Sequence, residues 1–298
     1  MRALLLAAGI GSRLAPLTGA LPKCLVPING VPLLAYWLDT LGRCGIDEVL
    51  INTHHLAAQV TDYVRASPWA GQARLVHEAS LPGTGGTLLA NRRWWQDDDL
   101  MLIHADNLCQ CDFARFIACH QGRPADILAT MMTFDTPTPQ SCGIVVCDPD
   151  GRIAAFHEKQ RNPPGHRASA AVFILAPEFA DLLPDAAMAG NAAEFDFSRD
   201  LVPRHLSRFQ AWHNSTYHSD IGTPASYLQA QLDYGWPAPA VAGQLPPTPQ
   251  SLAALRALAD LSGDDWTLIA TAPTGFSSAR TFRETGQRVL AASIGSTP

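Results

Sequence analysis

The sequence has little charge, and it lacks both a long apolar run and a basic stripe. Only 16% of its 298 residues are charged, and the formal net charge is −6. No apolar run approaches the ~20 residues that a membrane span needs, and the apolar stretch at the start is shorter than that of a signal peptide. No basic stripe of the kind that binds nucleic acid stands out. We therefore expect a cytoplasmic protein whose partners are neither membranes nor nucleic acids.

The cysteines also lack an organised pattern. There are seven, an odd number scattered along the chain, which suits a reducing compartment better than a disulfide framework. One cluster could be imagined as a zinc site, but its Cys-x-Cys spacing is not the usual ligand spacing; it comprises His104, Cys109, Cys111, Cys119 and His120. We favour ordinary buried or half-buried cysteines there.

Apolar residues, at 47% of the chain, are numerous enough to bury a large core in one or two domains. In the first half, apolar runs of strand length alternate with helically spaced segments. The predicted strands are 3–7, 48–52, 73–77 and 99–104, and the predicted helices are 32–44, 56–65 and 113–120. This alternation predicts an α/β fold with a parallel sheet covered on both faces. Ligands of such sheets bind beyond the carboxyl ends of the strands.

The second half predicts a more varied set of elements. A strand at 126–133 precedes a β-hairpin, 142–146 and 152–159, whose turn is Asp-Pro-Asp-Gly. The later predictions are a strand at 172–175, helices at 177–183 and 194–206, a pair of strands at 209–212 and 216–218, and a helix at 225–232. Residues 236–250 are rich in proline and alanine and predict a linker. The segment 251–298 contains an amphipathic helix at 251–261 and is interpreted as an appendage of unknown role.

A glycine turn at the end of the first strand is the strongest functional signal. Gly9 and Gly11 let the backbone approach an anion and direct several N–H groups toward it. Arg13 and Lys23 then supply full positive charge. The prolines among and after these residues predict a stiff irregular loop rather than a helix. The segment therefore predicts a phosphate site.

Two later strands also end in candidate site residues. The segment 83–86 has three glycines in four positions, which permit close approach to something flat or charged, and a helix is predicted from Thr87 to Asn91. Asp106 follows the strand 99–104, and a carboxylate at that end of a strand suits Mg²⁺. The alternative for Asp106 is a capping role in the next turn.

The first loop resembles a known family. Neither common glycine motif fits, because a dinucleotide fingerprint needs glycine at Leu14 and a P-loop lysine would not follow Pro22. The string Leu-Ala-Ala-Gly-x-Gly-Ser-Arg-Leu-x-Pro-Leu-Thr, followed by Pro-Lys and Leu-Val-Pro-Ile, closely resembles the opening signature of the sugar-1-phosphate nucleotidylyltransferases. Segments 81–86, 142–159 and 220–224 resemble later motifs of that family. The resemblance covers roughly residues 1–233 and implies a catalytic domain, 1–235, with a Rossmann-like three-layer nucleotidyltransferase fold.

The resemblance, together with the residue patterns, implies a set of site residues. The catalytic group is Arg13, Lys23 and Lys159; the nucleotide-binding group is Ala8, Gly9, Gly11, Ser12, Gly83, Thr84 and Gly85; the sugar-binding group is Asn107, Gly143, Glu158 and Ser169; and the Mg²⁺ ligands are Asp106 and Asp220. Asp220 could instead cap the helix that follows it. The family carries Asn-x-Gly where this chain has Ser169-Ala170-Ala171, and this departure leaves the acceptor open.

The resemblance implies Mg²⁺-dependent transfer of a nucleotidyl group from a nucleoside triphosphate to a sugar 1-phosphate. Within the family, residues 81–86 resemble the guanylyltransferase branch, which implies GTP with a mannose or manno-heptose 1-phosphate. Thymidylyl, uridylyl or cytidylyl transfer to another sugar phosphate or phospho-alcohol remains an alternative. A non-catalytic nucleotide-sugar sensor or regulatory subunit is an alternative of a different class, although this chain retains the expected charges. A homo-oligomer is left open.

Overall fold

A nine-stranded sheet forms the centre of the computed structural model, which describes residues 1–28, 31–184 and 194–233. Its strands and those of two smaller sheets are β1 Arg2–Leu6, β2 Pro27–Ile28, β3 Val31–Pro32, β4 Val49–Thr53, β5 Ala73–His77, β6 Leu100–His104, β7 Asn107–Gln110, β8 Ala129–Asp135, β9 Gly143–Cys147, β10 Ile153–Glu158, β11 Arg167–Leu175, β12 Phe209–His213 and β13 Tyr217–Asp220. The predicted linker, 236–250, and appendage, 251–298, lie outside the described residues.

Helices lie between these strands. The α-helices are α1 Leu17–Ala20, α2 Leu33–Arg43, α3 Ala57–Ala66, α4 Thr84–Ala90, α5 Arg92–Trp95, α6 Phe113–Gln121 and α7 Pro224–Asp233. Shorter 3-10 turns occupy Ser12–Leu14, Lys23–Leu25, Pro139–Ser141, Pro177–Leu182, Val202–Arg204 and Leu206–Arg208, and one π-turn occupies Phe197–Leu201. No helix in the described parts of the chain is both long and apolar enough to span a bilayer.

The sheet is mixed, with strand order β10-β9-β11-β6-β1-β4-β5, and with β8 beside β11 and β12 beside β8. Strands β6, β1, β4 and β5 run parallel, while β11 is antiparallel to β6. The central strand β1 is apolar without alternation, as expected for a strand covered on both faces. One apolar cluster includes residues of α2, α3 and α7, and the other includes residues of α4 and α5. The predicted α/β, Rossmann-like fold class is confirmed.

A separate two-stranded ribbon connects distant parts of the sequence. Strands β7 and β13 pair antiparallel, so that Asp220 lies opposite Asn107. The predicted pairing of 209–212 with 216–218 is therefore wrong, because β12 pairs with β8 and β13 with β7. Asn214 lies between β12 and β13 in the sequence, and its side-chain amide donates to the carbonyls of Gln110 and Tyr217 (3.0 Å each). The ribbon thus brings Asp220 to the carboxyl end of β6.

Three helix predictions need correction. Helix α4 begins at Thr84, three residues before the predicted start at Thr87, and so includes two of the glycines. The predicted helix 194–206 is instead a π-turn, capped by the Asp196 carboxylate, and a 3-10 turn that contains Pro203. Proline inside that segment removes a donor and disfavours a continuous α-helix. The segment 177–182 is 3-10 rather than α-helical, and the first loop contains short helical turns as well as irregular backbone.

Candidate active site

A cleft of about 210 Å³ opens where the parallel strands end. The two glycine loops, after β1 and after β5, form part of its walls. Of the residues that the sequence predicts for the site, the cleft is lined by Ala8, Gly9, Lys23, Gly83, Thr84 and Asp106. This position agrees with the general rule that ligands bind beyond the carboxyl ends of parallel strands.

Four charged side chains form an ion-pair cluster at this cleft. The Lys23 Nζ atom lies 2.8 Å from Asp106 Oδ2 and 3.3 Å from Asp220 Oδ1. Arg13 Nη2 lies 3.6 Å from Asp220 Oδ2. The Lys23 side chain is 7% exposed, whereas that of Arg13 is 65% exposed. The structure therefore brings together two predicted cations and both predicted metal ligands, although Asp106 and Asp220 are more than a hundred residues apart in sequence.

Glycines make room for this cluster. Gly11 has φ 67°, and a Cβ there would lie 3.0 Å from Thr18 Cγ2 and 3.2 Å from Lys23 Cβ. The Gly11 carbonyl accepts a bond from Thr18 Oγ1 (2.9 Å), which closes the loop against α1. At the other end, a Cβ on Gly222 would lie 2.8 Å from Arg13 Nη2 and 3.0 Å from the Asp220 carboxylate oxygens. Glycine is therefore favoured at position 11 by backbone conformation and by space, whereas a side chain at position 222 would make Arg13 or Asp220 shift.

Electrostatic interactions keep Lys23 and Asp106 charged. Burial alone would lower the pKa of Lys23, but attraction to Asp106 and Asp220 outweighs it, and the pKa is raised. Burial would likewise raise the pKa of Asp106, but Lys23 and His104 outweigh it, and the pKa is lowered. These directions agree with an ion pair whose partners favour one another's charged form.

The pair of carboxylates suits a magnesium ion. Mg²⁺ is usually held in proteins by one or two carboxylates, with substrate phosphates and water completing its shell. Asp106 and Asp220 lie within 3.3 Å of the same Lys23 nitrogen, so one cation already contacts both. No group of three or more His, Cys, Asp or Glu side chains within the described ranges could hold a metal by protein ligands alone. The residues therefore fit an ion that arrives with phosphate, which is how nucleotides carry Mg²⁺.

The second glycine loop is packed against the chain itself. Segment 194–197, here called the strap, crosses the loop: Phe195 N donates to the Pro82 carbonyl (2.9 Å), and Gly86 N donates to the Phe195 carbonyl (3.0 Å). A Cβ on Gly83 would overlap the Phe195 backbone, and one on Gly85 would lie 2.7 Å from its ring. The space that these two glycines leave on the Cβ side is thus occupied by Phe195, while Gly83 also lines the cleft. Their predicted contact with a nucleotide stays a prediction.

The Thr84 hydroxyl joins the same loop to the strap. It donates to Asp196 Oδ2 (2.9 Å) and accepts from Phe197 N (2.8 Å). The hydroxyl is thus occupied by protein partners, while Thr84 still lines the cleft beside Gly83. Glu194, at the start of the strap, also lines the cleft. The strap is therefore a part of the site that the sequence did not reveal.

A buried polar network beneath the second loop was also missed. Glu78 accepts from Thr87 Oγ1 at Oε1 (2.6 Å) and from Asn52 Nδ2 at Oε2 (3.0 Å). The Asn52 Oδ1 atom accepts from Ala7 N (2.7 Å), which ties the end of β4 to the end of β1. All three side chains line the cleft. Their place at or just beyond strand ends was the available signal, since Asn52 lies in β4 and Glu78 follows β5.

The residues predicted to contact the sugar 1-phosphate form a second group, which does not line the cleft. Gly143 pairs with Glu158 across the hairpin, and a Cβ on Gly143 would lie 2.7 Å from Glu158 Oε2. Lys159 Nζ lies 3.4 Å from Glu158 Oε1, and its side chain is 67% exposed. The structure places these three residues together, but not with the cluster of Lys23, Asp106 and Asp220.

A bulge in β11 lies between the two groups. Ala171 has φ 52°, a left-handed conformation that favours glycine, and its N–H donates to Ser169 Oγ (3.2 Å). The Ala170 carbonyl accepts from His218 Nε2 (2.9 Å) and from Asn107 Nδ2 (3.4 Å). Burial lowers the pKa of His218 to about 4, so that its ring is neutral at pH 7. Asn107 is thus engaged with the backbone and joins the ribbon of β7 and β13 to the bulge.

The three other residues predicted to bind the nucleotide do not line the cleft. Gly11 and Ser12 belong to the first loop but do not line the cleft, and the Ser12 carbonyl accepts from Ala15 N (3.2 Å). Gly85 is buried beneath Phe195. The loop between Gly9 and Gly11 also carries Ile10, which is 50% exposed. The first loop is therefore exposed, whereas the second is packed against Phe195 on one side and lines the cleft with Gly83 and Thr84.

Comparison with known proteins identifies the family of the chain. A family model described as nucleotidyl transferase matches residues 2–235. A mannose-1-phosphate guanylyltransferase of Mycobacterium tuberculosis is 27% identical over 236 residues, which cover 78% of this chain and 64% of the relative. A UTP–glucose-1-phosphate uridylyltransferase of Synechocystis is 28% identical over 249 residues, which cover 77% of this chain and 62% of the relative. The chain thus spans less than two thirds of the length of these two relatives.

A solved structure gives the same fold. The crystal structure of HddC from Yersinia pseudotuberculosis superposes with a TM-score of 0.64 at 22% identity, covering 78% of this chain and 99% of that chain. The matched part of the present chain therefore corresponds to nearly all of a known structure of this architecture.

Proposed function

Because the chain belongs to the nucleotidyl transferase family, we propose that it transfers a nucleotidyl group from a nucleoside triphosphate to a sugar 1-phosphate. The observation that carries the proposal is the cluster of Arg13, Lys23, Asp106 and Asp220 at a cleft between two glycine loops. In the reaction, an acceptor phosphate oxygen bonds to the α-phosphorus, the bond from that phosphorus to the bridging oxygen breaks, and pyrophosphate leaves. Such a transfer needs positioning and charge neutralisation more than a covalent nucleophile.

Each charged group has a part in this proposal. Arg13 and the amides of the first loop hold the leaving phosphates, while Lys23 neutralises charge on the reacting phosphates. Asp106 and Asp220 would hold Mg²⁺, which would stabilise negative charge on phosphate oxygens. Lysine occurs only twice in the sequence, as Lys23 and Lys159. Both fall in motifs of the family, which supports a specific use for each ammonium group.

For the base, we propose guanine. The Glu78 carboxylate lines the cleft and, among the residues that the structure describes, accepts one hydrogen bond at each oxygen. A carboxylate accepts bonds and cannot donate them, and it has room for more than one per oxygen. Guanine presents two adjacent donors, N1–H and N2–H₂, whereas uracil and thymine present one N–H between two carbonyl acceptors. The acceptor-only chemistry of Glu78 therefore supports guanine over uracil and thymine.

For the sugar, we propose a mannose or manno-heptose 1-phosphate bound between the cleft and the hairpin. Lys159 would hold its phosphate, and Glu158 and Ser169 would accept or donate bonds at its hydroxyls beside Gly143. The bulge at Ala171 supports this position, because it connects the hairpin side to Asn107 and thus to the metal ligands. The name of the M. tuberculosis relative agrees with the proposal, while the Synechocystis relative names another base and sugar.

A substrate panel tests the proposal. We would measure pyrophosphate release with GTP, ATP, UTP, CTP and dTTP, each combined with mannose, manno-heptose and glucose 1-phosphates in the presence of Mg²⁺. We expect the highest kcat/KM with GTP. Replacing Glu78→Gln should reduce the preference for GTP over UTP by about tenfold or more, since a glutamine amide can donate to a pyrimidine carbonyl.

The outcomes of that panel are distinct. Release with another triphosphate would retain the transferase and overturn the choice of base. Silence with every combination, in folded protein that binds a nucleotide sugar tightly, would overturn the transferase and indicate a sensor.

A further inference from the structure

Lys23 occupies a position that a divalent ion would also need. Its ammonium group lies 2.8 Å from Asp106 and 3.3 Å from Asp220, so it contacts both predicted metal ligands at once. Its side chain is 7% exposed, while those of the aspartates are 38% and 47% exposed. The ammonium is therefore the buried centre of the cluster, and the carboxylates surround it.

The cluster is electrically balanced without a metal. Lys23 and Arg13 carry two positive charges, and Asp106 and Asp220 carry two negative charges. A divalent ion that entered between the aspartates would meet an ammonium at van der Waals distance, and like charges at such separations repel strongly away from bulk water. Nucleotide phosphates change this balance, because they supply negative charge for both the ion and the lysine.

The lysine can make that exchange without leaving the site. Lys23 lines the cleft, as do Ala8 and Gly9 of the phosphate loop, so its ammonium faces the space where phosphates would lie. It begins a 3-10 turn, Lys23–Leu25, whose backbone is fixed by Leu25 N donating to the Pro22 carbonyl (2.8 Å). A rotation of the side chain alone can therefore move the ammonium from carboxylates to phosphate.

We propose that Lys23 is an exchangeable internal counter-ion, which occupies the metal position between Asp106 and Asp220 until nucleotide phosphates draw its ammonium away. The inference rests on the proposed function, because it requires these aspartates to hold the metal. Its consequence is that divalent metal and nucleotide bind together: each makes the other's binding more favourable, as linkage requires.

Binding of Mn²⁺ to the nucleotide-free full-length protein tests this directly. Free Mn²⁺ would be measured by electron paramagnetic resonance for the wild type, Lys23→Met and Lys23→Gln. We expect both variants to bind Mn²⁺ about tenfold more tightly or better, because the competing charge is gone. A second substitution, Asp106→Asn, in either variant should abolish the gain. Folding of both Lys23 variants would be checked by circular dichroism. If one of them is misfolded, the other still tests the proposal.

Two matched controls separate this role from a general effect of charge. Lys159→Met removes the other lysine, which is exposed and paired with Glu158, and should leave Mn²⁺ affinity unchanged. Arg13→Met removes a cation that, of the two carboxylates, is paired with Asp220 (3.6 Å), and it should raise the affinity less than Lys23→Met does. An equal rise in all three variants would overturn the proposal, since it would show only the loss of net positive charge.

The inference and the proposed function can fail separately. Equal Mn²⁺ affinity in the wild type and in both Lys23 variants, together with pyrophosphate release by the wild type, would overturn the counter-ion and retain the transferase. Tighter Mn²⁺ binding in the Lys23 variants without release from any substrate pair would support the counter-ion and overturn the transferase.

Discussion

The two glycine loops of the cleft look alike in sequence but differ in what occupies the space that glycine leaves. In the first loop, no atom of the described residues lies within 4 Å of a Cβ built on Gly9. In the second loop, the same construction on Gly83 overlaps the backbone of Phe195. A glycine cluster after a strand therefore has two meanings: the first loop leaves room for a ligand, and the second admits another part of the chain. Substitutions in the first should change activity, and those in the second should change stability.

The largest effect is expected at the carboxylates beside the first loop. Asp106→Asn and Asp220→Asn keep the side-chain shape but remove the charge that balances Mg²⁺, so we expect turnover to fall by about 10³-fold. Pyrophosphate release would measure turnover, and thermal unfolding should show little change in Tm. A fall in Tm large enough to unfold the protein at the assay temperature would contradict the distinction between the two loops, since residues beside the first loop would then also be needed for stability.

A somewhat smaller loss is expected at Arg13. Its side chain is mostly exposed and touches Asp220, so Arg13→Ala should lower kcat by about 10² to 10³-fold while the fold is retained. Arg115→Ala is a matched control. Arg115, in α6, is also an exposed arginine, and it pairs with Asp112, the residue before that helix. Near-normal turnover of the Arg13 variant would refute its assignment to the phosphates.

Gly83→Ala tests the second loop. Gly83 has φ 83° and ψ 165°, a conformation open almost only to glycine, and its added methyl would meet the Phe195 carbonyl. We expect the free energy of unfolding to fall by about 3 kcal/mol, measured by urea denaturation. The control is Gly9→Ala, where space is free, so that stability should be nearly unchanged while KM for the triphosphate rises. Equal destabilisation of both variants would remove the distinction between the loops.

The smallest effect is expected at Ala171, where the chain lacks a glycine although the backbone favours one. Ala171 has φ 52°, a left-handed conformation that is unfavourable for alanine. Ala171→Gly removes this strain and should raise the free energy of unfolding by about 0.4 to 1 kcal/mol. Ala170→Gly is the matched control. Ala170 does not have a positive φ, so glycine there should lower stability. A destabilised Ala171→Gly would indicate that the methyl group contributes packing that outweighs the strain.

The sequence predicted those parts of the site that depend on short segments. Gly9 and Asp106 each follow a strand whose apolar run is visible, and parallel strands bring their carboxyl ends to one edge. Lys23 was predicted from the motif of the first loop. Asp220 was predicted through its motif, but its partner strand was not. Local patterns record which residues end a strand, and they do not record which distant strand lies beside it.

The strap shows why the rest could not be predicted. Phe195 contacts Gly83 and Gly85 from more than a hundred residues away, and the pattern around it favoured a helix. What decided its conformation is tertiary: the Thr84 hydroxyl and the Pro82 carbonyl supply the bonds that a helix would have supplied. The Asn52 and Glu78 network was hidden for the same reason, since each residue is an ordinary polar side chain until its neighbours are known.

The ribbon of β7 and β13 has a consequence for the order of events during synthesis. Its two strands are separated by more than a hundred residues, and it alone sets Asp220 opposite Asn107. At ribosomal rates of about 5 to 20 residues per second, several seconds pass between the emergence of Asp106 and that of Asp220. During that interval the nascent chain has its phosphate loop, Lys23 and the first carboxylate, but lacks the second. The two carboxylates therefore come together late in the synthesis of residues 1–233, when β13 emerges and pairs with β7.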